Sequence, residues 1–359
     1  MKKLILLLIL SIGLMVFNSY AGNKPDKEVQ KAFELRMNGK VDEAKAMLEG
    51  ILTRDSTNAM AHYEMARLKQ YMLIGGGGMK IDDILTSINK AVTYDPKNVT
   101  YAYYKAIATF LNAFMAMETG QQDAVKGRVA ETCIQFEKVL SLKPDYYEAR
   151  LYLVEIYGLL PRDMGGDSVK AVAYAEKLSI MDKYFGAKAK AVLASESTDK
   201  VKYWEDLLVS NGKNPEFMME AGKACLFKDD LVNAEKYFDM AIKADPSKNI
   251  LIIDLARYHI MQVMQNKDVA KTELPIAKTY LEKYLKTVPE PAIPLKAYTL
   301  GLMSLTERFQ GNQAEAEKLV AEAKSMDKYF SRASGVPTLL LFDSPDQISH
   351  HYFSFFSPF

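Results

Sequence analysis

One twelve-residue frame recurs along this chain: a small side chain, a large one four positions later, a small one three after that, and a helix stop five further on. It is clearest at Ala234, Phe238, Ala241 and Pro246. The small residues let a neighbouring helix approach closely, the large one fills the groove between helices, and proline ends the helix because it has no N–H to donate. The frame returns at Ile84, Ile88, Ala91 and Pro96, at Thr132, Phe136, Val139 and Pro144, and at Ala277, Leu281, Tyr284 and Pro289. Three copies replace the proline: Ala44, Leu48, Ile51 and Ser56; Ala171, Ala175, Leu178 and Lys183; Ala316, Val320, Ala323 and Lys328. A chain built this way must stack helices in series, because no single short helix can bury such a stripe alone.

From Lys27 onward apolar residues return at three- and four-residue spacing, with no long alternating run before the C-terminal tail, so the spacing predicts an all-α protein. The half-repeat before the frame is clearest at Met218, Ala221, Gly222 and Cys225, followed by a turn at Asp229-Asp230; Asn38-Gly39-Lys40 and Gln310-Gly311-Asn312 are similar turns. Together these residues resemble the tetratricopeptide repeat family, as an exported bacterial member with degenerate repeats, over nearly the whole chain to about Phe330. The resemblance implies a right-handed α-solenoid of stacked antiparallel helix pairs, ending in an irregular tail.

The stops do not fall at the regular interval of about 34 residues that such arrays use, so insertions are expected. Two fall between the helices of a pair, at Gly75–Gly78 and Pro161–Asp167, and a third long turn is expected after the helix Tyr101–Met117, through Thr119–Gln122. Met181-Asp-Lys-Tyr-Phe185 is echoed at Met326-Asp-Lys-Tyr-Phe330, as though each closed a sub-array. The polar stretch Ser195–Asp199 reads as a joint that also caps the next helix. The expected organisation is therefore an array over 22–194 and a second, continuous with it, over 195–330. An irregular aromatic tail over 331–359 ends Tyr352-Phe-Ser-Phe-Phe-Ser-Pro-Phe359.

At the N-terminus, Lys2 and Lys3 precede an apolar run from Leu4 to Phe17 and then Ser19-Tyr20-Ala21. That order is a signal peptide over 1–21 with cleavage after Ala21, which predicts a periplasmic or secreted protein. The run falls short of the roughly 20 residues that span a bilayer, and no cysteine stands near the cleavage point to take a lipid. The two cysteines, Cys133 and Cys225, lie in helical segments and read as small buried hydrophobes.

With 46 basic against 45 acidic residues there is no global field to gather a polyanion, so nucleic acid is set aside as a partner. The tetraglycine Gly75–Gly78 lacks the preceding strand and the Lys-Ser/Thr pair of a phosphate loop. His62, His259, His350 and His351 lack metal-ligand spacing, no Gly-x-Ser-x-Gly elbow occurs, and neither metal nor cofactor nor catalysis is expected.

The tetratricopeptide resemblance places the first helix of each pair on the concave groove. Carried over, it puts Tyr63, Arg67 and Tyr71 of the second pair there, with Tyr103, Ile107, Phe110 and Leu111 of the third and Glu148, Leu151 and Glu155 of the fourth. Tyrosine and arginine dominate binding hot spots. The carboxylate clamp of chaperone-tail binders is not reproduced, because Tyr63 and Arg67 stand at its positions. These features predict a non-catalytic scaffold that binds a protein or peptide through the groove or loop edge, with a membrane-associated complex as one setting. The alternative is a small-molecule or lipid carrier, since Gly165-Gly166-Asp167 in its long turn resembles the helical-repeat partners of periplasmic transporters.

Overall fold

The computed structural model describes residues 26–330, with Lys213 and the Gln122 side chain left out; the expected signal peptide and aromatic tail lie outside these residues. The described residues form two compact units, divided between Ala194 and Ser195. Every regular element among them is helical.

The first unit holds four helix pairs: α1 (Lys27–Met37) with α2 (Val41–Arg54), α3 (Ala59–Ile74) with α4 (Ile81–Tyr94), α5 (Val99–Glu118) with α6 (Gln122–Leu142), and α7 (Tyr147–Leu159) with α8 (Ser168–Met181). A further helix, α9 (Lys183–Leu193), packs on α8 and α7. In the second unit α10 (Lys200–Asn211) packs on α11 (Pro215–Phe227), which pairs with α12 (Leu231–Ala244). There α13 (Leu251–Gln265) pairs with α14 (Ala270–Leu285), and α15 (Ile293–Phe309) with α16 (Gln313–Met326). The fold is all-α and tetratricopeptide-like, and each of the seven copies of the frame sits on the second helix of a pair.

The local chemistry repeats with the frame. In six of the seven second helices the N–H of the residue ending the helix turns back to the carbonyl of the frame's third anchor, as with Asp55 to Ile51 at 2.8 Å, Asp95 to Ala91 at 3.0 Å, Asp182 to Leu178 at 2.9 Å and Asp327 to Ala323 at 2.9 Å. The Asp side chain then holds the following turn, as when Asp55 accepts from the Thr57 N–H at 3.0 Å and Asp245 from that of Ser247 at 3.0 Å. An asparagine three residues beyond Asp55 or Asp95 caps the next first helix: Asn58 accepts from the Ala61 N–H at 2.9 Å and Asn98 from that of Thr100 at 3.1 Å. Within a pair, the turn closes with a six-to-one hydrogen bond across a left-handed residue. Lys40 donates to the Leu35 carbonyl past Gly39, Asp230 to Cys225 past Asp229 and Asn312 to Glu307 past Gly311, each at 2.9 Å.

Nearly all the anchors are buried: Ala44, Leu48, Ile84, Ile88, Ala91, Phe136, Val139, Ala234, Phe238, Ala241, Ala277 and Leu281 are fully covered. Val320 departs from the frame and is only half-buried, while its neighbour Leu319 enters the cluster with Ala297, Leu300, Ala323 and Phe330. Phe330 itself fills the space beside Gly301, where a Cβ would lie 2.2 Å from its ring.

The expected long turn through Thr119–Gln122 is corrected. Only Thr119–Gln121 separates the helices, and the added length goes into α5 and α6, of 20 and 21 residues. Val125, Val129, Cys133 and Phe136 continue one buried stripe along α6, so extending the helix covers more apolar surface than a loop would. The insertion at Pro161–Asp167 does form an irregular connection, with a short 3₁₀ turn over Arg162–Met164. Here Gly166 passes so close to the backbone that an added Cβ would stand 1.8 Å from the Leu160 carbonyl oxygen. Gly166→Ala should therefore lower the stability of the first unit by about 1–3 kcal/mol, read as a shift in its urea midpoint with unchanged slope.

Candidate functional site

The first helices of the first unit carry a line of tyrosines and buried charges. On α3, the Tyr63 ring lies 5.0 Å from Tyr101 and meets Tyr104 edge-on at 5.4 Å. The Arg67 guanidinium stands over the rings of both Tyr63 and Phe33, at 5.3 and 5.4 Å. Behind it, Arg36 Nε donates to Glu64 Oε1 at 2.6 Å with both side chains sealed from solvent, and Arg67 Nη1 reaches Glu64 Oε2 at 3.4 Å. Tyr104 donates its hydroxyl to Gln70 at 2.6 Å.

On α5, Tyr103 packs on Tyr146 at 4.6 Å and approaches Phe136 and Tyr152 edge-on at 6.2 and 6.5 Å. Burial pushes the hydroxyls of Tyr63, Tyr103 and Tyr104 up, and the carboxylates of Glu148 and Glu155 push that of Tyr103 further. Tyr63 and Tyr103 nevertheless keep partial solvent access.

On α7, Glu148 is 7% exposed and Glu155 1%. Burial drives the Glu148 carboxyl up to about 7; Lys143 and Lys188 act against this and Asp182 with it. Glu148 Oε2 has no hydrogen-bond partner.

The expected groove set thus divides. Tyr63, Arg67, Tyr103 and Leu111 are partly open, and Glu148 and Glu155 sit deeper beside the tyrosines. Tyr71, Ile107, Phe110 and Leu151 are packed between helices, at 1–5% exposure, and present no free surface. Leu151 belongs to a cluster with Val154, Ala175, Leu178 and Ala189. Phe110 lines a small apolar cavity of about 10 Å³ with Val129, Ile156 and Leu160. The reason is geometric: an inner helix is packed on both flanks, so residues three or four apart are shared between groove and neighbour. Arg36, Glu64 and Tyr146 were not anticipated from sequence. The one signal for them is the run Tyr101-x-Tyr103-Tyr104, which marks an aromatic surface without naming what lies behind it.

The second unit carries a smaller relative of this arrangement. Asp254 on α13 is 1% exposed, burial pushes its carboxyl up to about 7, and Arg257 stands 3.6 Å away against that shift. His62 and His259 serve structure: one holds the Ser56 carbonyl at 2.9 Å, the other Glu273 at 2.6 Å. His350 and His351 lie outside the described residues. Cys133 and Cys225 are buried and form no disulfide, and burial raises both thiols to about 11.

No protein-family model matches the chain, and no curated protein matches it in sequence. Among solved structures, it is similar to a monomeric IFIT1 mutant with m7Gppp-AAAA, at 16% identity and a TM-score of 0.39, covering 90% of this chain and 61% of that one. The chain therefore spans about three fifths of that protein. It is also similar to a tetratricopeptide repeat protein from Parabacteroides merdae, at 15% identity and a TM-score of 0.35 over 84% of this chain and 92% of that one. A third likeness is to PilW, a type IV pilus biogenesis factor, at 16% identity and a TM-score of 0.27 over the same shares. These likenesses concern fold alone, and the seven helix pairs among the described residues, each with its frame of anchors on the second helix, make that fold tetratricopeptide-like.

Proposed function

We propose that this chain is an exported, non-catalytic scaffold that docks a protein or peptide segment against the first helices of its first unit. The observation that carries the reading is the division of labour between helices. Second-helix anchors are consumed by packing, whereas Tyr63, Arg67 and Tyr103 on the first helices remain partly open beside buried acids. Rigid aromatic groups with polar tips, ringed by charge, are the chemistry of a protein-binding hot spot. The non-catalytic part is supported by the thiols, held up near 11 and so protonated at neutral pH, where a nucleophile must be thiolate. The alternative, a small-molecule carrier, draws no support from the cavity around Phe110, since about 10 Å³ is far below the several hundred that a ligand site occupies.

The test is affinity capture from the periplasmic fraction with the native chain and with Tyr63→Ala/Arg67→Ala. The native chain should retain one or more defined proteins that the double variant loses. Equal recovery by both removes this face as the docking surface, and a chain that stays in the cytoplasm with residues 1–21 attached removes the export part.

A further inference from the structure

We infer that Asn211 is a site of spontaneous covalent modification, the ring closure that turns asparagine into aspartate and isoaspartate, and that the fold withholds the same chemistry from Asn38. The sequence holds two Asn-Gly pairs, Asn38-Gly39 and Asn211-Gly212. Asparagine before glycine is especially open to this reaction, because glycine puts no side chain beside its own nitrogen and its backbone reaches conformations closed to other residues. The Gly212 nitrogen gives up its proton to hydroxide and attacks Asn211 Cγ. The new N–Cγ bond closes an imide ring, the Cγ–Nδ2 bond breaks, and Nδ2 leaves as ammonia after taking a proton from water. Water then opens the ring at one carbonyl or the other, leaving aspartate or isoaspartate with no change of oxidation state.

What separates the two pairs is the cost of freeing the glycine nitrogen. Gly39 stands in a closed turn: its N–H donates to the Arg36 carbonyl at 3.1 Å, and Lys40 completes the six-to-one bond to Leu35 at 2.9 Å. The Arg36 side chain is sealed against Glu64, so the last turn of α1 is pinned from inside and opening it disturbs a buried ion pair. At the end of α10 the Gly212 N–H donates to the Leu208 carbonyl at 3.0 Å, and Asn211 Nδ2 to the Leu207 carbonyl at 2.7 Å and Ser210 Oγ at 3.2 Å. Little packing stands behind those bonds. Trp204 is the one buried side chain of α10; Leu207 and Leu208 are half-buried, Ser210 is exposed and Val209 is 88% exposed. Gly212 then leaves at φ 62° and ψ −127°, far from the ψ near +47° of a left-handed turn residue, and an added Cβ there would meet nothing within 4 Å. A helix end with so few buried contacts opens at small free-energy cost. The product loosens that end further. A carboxylate at 211 stands at the negative end of the α10 dipole, the Leu207 carbonyl loses its donor, and isoaspartate adds a carbon to the main chain between α10 and α11.

The test incubates the full-length chain at pH 8, digests it with a protease that cuts after lysine, and follows the peptides 32–40 and 203–213 by mass spectrometry. The mass gain of an amide turned to an acid should build up in 203–213 at least about ten times faster than in 32–40, the ratio that a difference of about 1.4 kcal/mol in opening cost gives. Its rate should rise in proportion to hydroxide, and isoaspartyl methyltransferase should label that peptide. In concentrated urea, with both turns open, the two rates should converge. Asn211→Gln should abolish the gain in 203–213, because its longer side chain closes a larger and slower ring, and leave 32–40 unchanged. Equal rates in the folded chain, a faster reaction at Asn38, or a difference that persists in urea overturns the inference. Asn211→Asp carries the charge without the added carbon, and chymotrypsin should cut it at Leu207 and Leu208 several-fold faster than the native chain; unchanged cutting overturns the loosening of α10.

Discussion

Arg36→Met should destabilise the first unit by about 3–5 kcal/mol, among the largest effects of any single substitution in the chain. Arg36 is fully sealed, and its guanidinium donates to a Glu64 carboxylate that is itself 3% exposed, at 2.6 Å. Methionine approximates the volume of the aliphatic stem and leaves no cavity of note, so the loss is electrostatic: Glu64 keeps only the longer contact to Arg67, at 3.4 Å. A buried carboxylate with its main partner removed bears the full desolvation penalty. The double variant Arg36→Met/Glu64→Leu should recover most of the loss, since an apolar pair of similar size avoids stranding either charge. Urea denaturation followed by circular dichroism measures both. A single-variant loss below about 1 kcal/mol, or a double variant no better than the single, would show that this pair is not what holds α1 to α3.

The second large effect is a dependence of stability on pH that runs opposite to ordinary acid unfolding. Glu148 has a folded value of about 7 against an ordinary value near 4.5, and Asp254 about 7 against 3.8, in each case chiefly through burial. A carboxyl whose folded value is raised binds its proton more tightly in the folded state. Its neutral form is accommodated at low pH, and stability is lost as the pH rises from the ordinary carboxylate range through 7. At 1.36 kcal/mol per pH unit of difference, Glu148 costs its unit at most about 3 kcal/mol by pH 8 and Asp254 at most about 4. The chain should therefore melt higher at pH 5.5 than at pH 8. Glu148→Gln should raise the pH 8 stability of the first unit and flatten its pH profile, while leaving the share due to Asp254 in the second unit intact. Thermal melts across this range check the sign, and a profile rising from pH 5.5 to 8 contradicts it.

Much of the architecture was legible because its determinants are local. The twelve-residue frame located all seven second helices, and the Asn-Gly and Asp-Asp turns closed as their residue types require, with a left-handed residue and a six-to-one bond. The polar stretch before Asp199 supplied a helix cap, as Asp199 accepts from Val201 and Lys202 N–H groups at 3.1 and 3.2 Å. The reading failed at Thr119–Gln122, where a Thr-Gly pair looks like the start of a loop. A continuous stripe from Val125 to Phe136 had in fact already committed the chain to helix. It also fell short within the groove, where the carried-over positions include Tyr71, Ile107 and Leu151, all packed inside.

What the sequence determined by itself is the succession of helices, their ends and their packing anchors. Spacing, capping and proline act within a dozen residues, and their energetics scarcely depend on what is folded elsewhere. What only the tertiary structure decided is which inner side chains meet. Arg36 finds Glu64 from 28 positions away, Tyr103 finds Tyr146, and Glu148 is left with a buried oxygen that has no hydrogen-bond partner. Each residue turns a helix by about 100°, so a rotation smaller than one residue's worth moves a side chain from groove to core, and that rotation is set by the neighbouring helices.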